Sequence, residues 1–242
     1  MSPGNAEYLI VETADDMWQL VAERWREASS RAAEKRGFFA VALSGGKTPV
    51  GFYRHLSAVG GLQWNTTHLF LADERFVPPG SPESNYGMLR ETLLNRIPIP
   101  SCNVHPVVTE TPSPAVSAER YEEELRTFFS LPEDVIPEFD LILLGIGEDG
   151  HTASLFPGTE ALKEKRRLVA PVKLGPALHD RITLTLPVIN NARNIFFLVS
   201  GRRKRVVMRK LRQGHDRTLP AAMVVPQKGN LIFLMDREAA GG

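Results

Sequence analysis

The sequence predicts an α/β protein with a single doubly wound, mostly parallel sheet and helices on both of its faces, on three observations. Short β-favouring apolar runs alternate with helical stretches along the chain. Most of the runs are apolar enough to be buried on both faces, as parallel strands are. Glycine-rich polar turns follow several of them. In residues 13–36, Met17, Leu20, Val21 and Trp25 recur at helical spacing, Asp15 and Asp16 suit the first turn, and Gly37 suits the stop. Strands are expected at 38–43, 67–72, 103–108, 139–144, 181–186, 194–199 and 230–235. Helices are expected between them at 49–57, 84–96, 115–129 and 202–212. The turn-rich stretches 78–82 and 109–114 read as surface loops, one of them bordering a pocket. No internal repeat or linker divides the chain, so 1–242 reads as one Rossmann-like domain.

With 43% hydrophobic and 24% charged residues, 242 residues can bury a substantial core. A dispersed net charge of +1 argues against a polyanion-binding surface, so no nucleic acid partner is expected. Cys102 is the only cysteine, which excludes an internal disulfide and suits a reducing compartment. The amino terminus lacks a basic segment followed by an apolar core, and no apolar run approaches about 18 residues. The expectation is a cytoplasmic protein with no membrane partner; a monomer is compatible with the sequence, which leaves oligomeric state open.

The residues able to carry chemistry lie in the turns. Gly145-Ile-Gly-Glu-Asp-Gly-His-Thr152 follows the aliphatic stretch 141–144, placing a histidine where ligands bind in an open α/β sheet. The letters satisfy G-x-G-x-x-G, but a dinucleotide site needs a helix at once and an acid about twenty positions on. Pro157 closes the segment early and 168–174 carries no acid, so no nicotinamide cofactor is expected. His151 is the one histidine inside such a turn, and a neutral imidazole accepts a proton at cellular pH. The other histidines show no metal-ligand spacing, and no catalytic metal is expected. Ser44 and Ser154 sit in no G-x-S-x-G elbow, which leaves water as the nucleophile.

Ser44-Gly45-Gly46-Lys47-Thr48-Pro49 lies between a strand and a helix, where backbone N–H groups can cradle a phosphate. It is not a nucleotide P-loop, because Val41 stands where that pattern needs glycine. A plain glycine turn before a Pro-started helix explains the segment equally well. Asp73-Glu74-Arg75 ends one strand and Ser84-Asn85-Tyr86 opens the next helix. Singly, these residues mean a solvated ion pair and a helix cap; together with the other turns they suggest a site. Arg181 and Lys204, from separate strands, suit a two-cation phosphate clamp, whereas Arg202, Arg203 and Arg205 read as a solvated helix start.

Taken in order, 43–49, 73–75 with 84–86, 145–157 and 181–185 resemble the 6-phosphogluconolactonases, within the superfamily that also holds glucosamine-6-phosphate deaminases. The deaminase branch carries a glutamate five positions after the histidine; here Phe156 stands there, as in lactonases. The resemblance implies hydrolysis of 6-phospho-D-glucono-1,5-lactone to 6-phospho-D-gluconate in the oxidative pentose phosphate pathway, with a sugar phosphate as partner and no cofactor. It implies His151 as general base, Arg75 near the reacting ester, and Arg181, Lys204 and the turn Ser44–Thr48 on the phosphate. Asp149 and Asp73 become orienting or hydroxyl-binding groups. A deaminase, or a sugar-phosphate sensor without catalysis, remains the alternative.

Overall fold

The computed structural model describes residues 6–175, 178–214, 216 and 218–241. In chain order its strands and α-helices are β1 (Ala6–Val11), α1 (Ala14–Arg36), β2 (Phe39–Leu43), α2 (Lys47–Ala58), β3 (Thr67–Leu71), β4 (Asp73–Arg75) and α3 (Asn85–Thr92). There follow β5 (Val104–His105), α4 (Pro114–Phe128), β6 (Leu141–Leu144), β7 (Val169–Val172), β8 (Arg181–Leu184) and α5 (Leu186–Asn190). Then come β9 (Asn194–Val199), α6 (Arg205–Gln213), β10 (Asn230–Asp236) and α7 (Arg237–Ala240).

Local chemistry sets the ends of the long first helix. The Thr13 hydroxyl accepts from the Asp16 N–H while the Asp16 carboxylate accepts from the Thr13 N–H, a reciprocal cap that satisfies two otherwise orphaned donors. Gly37 ends the helix at φ 80°, a left-handed conformation that costs glycine little. The buried face of α1 includes Met17, Val21 and Trp25, with the Trp25 ring 5.3 Å from Phe39 of β2. Burying a side chain of this kind contributes on the order of 2–3 kcal/mol. Phe39–Leu43 is buried at every position, as a central strand covered on both faces must be.

Seven strands form one wholly parallel sheet in the order β1-β10-β9-β6-β2-β3-β5. From β2 the chain builds outward through β3 and β5, then crosses back to lay β6, β9 and β10 on the other side. The winding reverses between β2 and β6, which opens a crevice at their carboxyl ends. No helix among the described residues is long and apolar enough to cross a membrane.

The doubly wound sheet agrees with the expectation, but it is not the only sheet. Residues 181–184 leave it and pair antiparallel with both β4 and β7, forming a second sheet of three strands, β4-β8-β7. An antiparallel partner needs the chain to reverse beside it, a property of the distant segments 73–75 and 169–172 rather than of 181–184 itself. Three further strands escaped the sequence reading: β4, read as the end of the strand 67–72 but paired in the second sheet, β1 and β7. β1 is half-buried along most of its length at the sheet edge, and β7 contains Pro171, a residue confined to strand edges. The run 103–108 contributes only the two residues of β5.

Candidate active site

The crevice between β2 and β6 opens into a cavity of about 600 Å³. Its wall comes from the turns after β2, β6 and β9 and from the small sheet: Gly45 to Pro49, Gly145 to Glu148 with His151 and Ala153, Ser200 to Lys204, and Asp73, Arg75, Asn85 and Arg181. Of the residues singled out in the sequence, His151, Arg75, Asp73, Arg181, Lys204, Gly45, Gly46, Lys47 and Thr48 therefore share one space. Ser44, which is buried, and Asp149, which is exposed beside His151, are not among the lining residues. The Ser44 side chain is buried with its hydroxyl unpaired among the described residues, and its carbonyl accepts from the Tyr53 hydroxyl at 2.6 Å.

The histidine turn is built to hold one ring. Leu144 delivers the chain to Gly145, and the Thr152 hydroxyl donates back to the Gly145 carbonyl at 2.9 Å, closing the loop on itself. Inside it the Gly147 N–H donates to the His151 carbonyl at 2.8 Å. A Cβ on Gly147 would lie 2.2 Å from His151 Nδ1 and 2.4 Å from Asp149 Oδ1, so only glycine lets this pair form. Ala153 takes a left-handed φ of 46°, rare for a residue with a side chain, in the tight bend after the histidine.

Asp149 Oδ1 lies 2.6 Å from His151 Nδ1 and also accepts the His151 backbone N–H at 3.1 Å. An ionised carboxylate only accepts, which places the hydrogen of neutral His151 on Nδ1 and a free lone pair on Nε2. The opposite restraint is apolar: the Phe156 ring sits 4.2 Å from the imidazole centroid, tilted by 31°. Arg181 then lies against Phe156 with its guanidinium carbon 5.9 Å from the ring centroid.

The small sheet supplies the cations. Register pairs Arg75 directly with Arg181 and Asp73 with Thr183. Like charges facing each other across an antiparallel pair repel, and neither guanidinium has a full set of partners among the described residues. Arg181 donates through Nε to the carbonyls of Leu178 at 3.1 Å and His179 at 3.3 Å, and through Nη2 to Leu178 at 2.9 Å. Arg75 Nη1 donates to the Glu83 carbonyl at 2.6 Å, while its buried Nε has no partner among the described residues. Burial lowers the Arg181 pKa. Lys204 is half-buried, and its side chain has no hydrogen bond or ion pair among the described residues; its pKa is likewise lowered by burial, against the opposing pull of Glu148 and Asp149. Arg75 Nη1 also pairs with the exposed Glu83 carboxylate at 3.4 Å, while Arg181 and Lys204 have no ion pair among the described residues; partly desolvated cations of this kind around a cavity make a site for an anion.

Three residues that the sequence reading named without giving them a role contribute to the site. Ser154 is fully buried; its hydroxyl donates to Asp73 Oδ2 at 2.6 Å and its N–H to Thr183 Oγ1 at 3.2 Å, tying the histidine turn to both strands that bear the arginines. Glu74 is buried at the start of α3, where its carboxylate accepts from the N–H groups of Asn85 at 2.7 Å and Tyr86 at 2.8 Å and from the Ser84 hydroxyl. Burial raises its pKa, opposed by those hydrogen bonds. Asn85 reaches Asp73's carbonyl at 2.9 Å, so close to Gly45 that a Cβ there would stand 2.0 Å from the Asn85 amide oxygen. The Asp73–Arg75 and Ser84–Tyr86 segments carried this signal as a coincidence of strand end and helix cap; Ser154 carried none. Arg202 and Arg203, expected to be merely solvated, also line the cavity, at its exposed rim.

Residues 12–233 match the family described as glucosamine-6-phosphate isomerases/6-phosphogluconolactonase. The chain belongs to this family. A 6-phosphogluconolactonase of Nostoc sp. is 41% identical over 86% of each chain, and that of Rattus norvegicus is 40% identical over 95% of this chain and 89% of its own. The crystal structure of 6-phosphogluconolactonase from Thermotoga maritima superposes with a TM-score of 0.81 at 31% identity, covering 95% of this chain and 99% of that one.

Proposed function

We propose that this protein, acting in the cytosol as one domain over residues 1–242, hydrolyses 6-phospho-D-glucono-1,5-lactone to 6-phospho-D-gluconate in the oxidative pentose phosphate pathway. The observation that carries the reading is the convergence of an Asp149-oriented imidazole with Arg75, Arg181 and Lys204 on one cavity of sugar-phosphate size. Family membership supports it, since the relatives named above are 6-phosphogluconolactonases.

The phosphate is the handle. Lys204, Arg181 and the Ser44–Thr48 turn with the first N–H groups of α2 hold it, and that binding energy fixes the lactone carbonyl beside His151. His151 Nε2 takes a proton from water as the water oxygen bonds to C1. The carbonyl electrons move onto oxygen, where Arg75 or nearby backbone N–H groups stabilise them. As the tetrahedral centre collapses, the bond from C1 to the ring oxygen breaks, and the ring oxygen recovers the proton from Nε2. The new carboxylic acid then ionises to solvent. Asp149 keeps the imidazole in the accepting tautomer and stabilises the imidazolium between the two transfers. Asp73, held by Ser154, is placed to accept from a sugar hydroxyl.

The test is a rapid assay on fresh 6-phosphogluconolactone, corrected for spontaneous opening. His151→Ala is expected to lower kcat by about 10²–10⁴-fold with little change in KM. Full turnover by that variant would remove the base assignment, and no turnover by the parent protein would remove the substrate.

A further inference from the structure

Lys204 is not held by any side chain among the described residues, yet it must stay at the cavity wall if it is to grip an anion. Its position is set through the backbone. The turn after β9 begins at Ser200 and Gly201, and the Lys204 N–H donates to the Gly201 carbonyl at 3.0 Å. Gly201 has a φ of 91°, which frees the turn to leave the strand sharply but leaves its own direction weakly specified. What fixes it is the neighbouring strand end. β9 and β10 run parallel with Val199 beside Met235, so the next residue of β10, Asp236, stands beside Ser200.

The Asp236 carboxylate is 5% exposed and uses both oxygens. Oδ2 accepts from the Ser200 hydroxyl at 2.5 Å and from the Gly201 N–H at 3.1 Å; Oδ1 accepts from Gly201 at 3.2 Å and from the Ala239 N–H at 2.7 Å. One buried group thus caps α7 and grips the two residues from which the cationic turn Arg202–Lys204 departs. Arg205 adds a second tie to the same strand exit, its Nε donating to the Glu238 carbonyl at 2.7 Å.

We infer that Asp236 is a positioning residue for phosphate binding: it does not line the cavity, and it acts by fixing the turn that presents Lys204 to the substrate. This rests on the reading of Lys204 as a phosphate ligand. It also gives the buried carboxylate a task beyond capping a helix of four residues. A cap alone would affect stability, whereas a positioning role moves KM through Lys204.

The experiment is a double-mutant cycle read in KM and kcat for the phosphorylated lactone, with inhibition by the product, 6-phosphogluconate, as a second measure of binding. Asp236→Ala is expected to raise KM about tenfold, the size of one lost hydrogen bond to a charged group, with kcat within twofold. Asp236→Asn keeps one acceptor oxygen and is expected to fall between the two, which preserves the test if the alanine variant does not fold. In a Lys204→Ala background, either change should leave KM where Lys204→Ala already put it. An equal fold-rise in both backgrounds, or a lowered Tm with KM unmoved, would overturn the inference. If Lys204→Ala itself left KM and product inhibition unchanged, the phosphate reading would fall first and this inference with it.

Discussion

His151 is restrained at its edge by Asp149 and on its face by Phe156, and both restraints depend on Gly147 leaving room for them. The Gly147 N–H also bonds the His151 carbonyl, so this glycine holds the histidine from behind while clearing space beside it. Gly147→Ala is therefore expected to separate stability from chemistry. The added methyl meets the His–Asp pair rather than the core, so Tm should move little while kcat drops at least tenfold, about 1.4 kcal/mol of transition-state stabilisation. Parallel thermal melts and steady-state rates would show it, and an unchanged kcat would mean the pair tolerates displacement. This residue could be flagged in the sequence only as one of three glycines in a turn. The need for it is visible once the imidazole is seen folded back over it.

At the scale of elements, the small antiparallel sheet is the device that brings two arginines together. Because Arg75 and Arg181 face each other, removing one relieves repulsion in the empty protein and weakens the grip on an anion. Arg181→Ala is expected to raise KM for phosphorylated lactone by about ten- to a hundredfold and leave Tm level or slightly higher; a destabilised protein with normal KM would make Arg181 a structural residue. At the other edge of the main sheet, β3 and β5 place His68 Nδ1 3.1 Å from His105 Nε2, with Glu124 on the far nitrogen of His105 at 2.6 Å. Burial, and then the neighbouring His105, push the His68 imidazole down to about 4. Between that value and the ordinary 6.5 the unfolded chain binds a proton that the folded chain does not, so the contribution is intact above pH 6.5 and shrinks as pH falls toward 4. Tm of the parent should drop across that window, and the drop should be smaller in His68→Phe. Equal slopes in the two proteins would show that His68 is not the group responsible.

For the molecule as a whole, charge is segregated more than a total of +1 suggests. From Arg202 to Arg212 there are seven cations and no acid, so the remainder of the chain carries an excess of acid. That basic stretch starts at the cavity rim and runs along α6, giving a field that attracts a dianion. kcat/KM for the phosphorylated lactone is expected to fall several-fold between roughly 0.01 and 0.5 M ionic strength as the Debye length shrinks from about 30 Å to a few Å. Turnover of the lactone without phosphate should not respond, and parallel salt curves for the two substrates would refute steering.

The sequence by itself determined the parts whose cause is local. Periodicity and caps gave the helix from Thr13, the aliphatic runs gave the central strands, and the glycine turns after 43, 144 and 199 marked segments that line the cavity. Asp149 and His151 are two positions apart, so their pairing was within reach of the chain's own geometry. Tertiary structure alone decided which strand end stands beside which. Arg75 opposite Arg181, Ser154 beneath Asp73, Phe156 between His151 and Arg181, and Asp236 holding the Lys204 turn all join distant segments or a side-chain orientation. The reason is physical: apolar pattern specifies that a face must be buried, while the neighbour that buries it is chosen by the packing of the entire sheet.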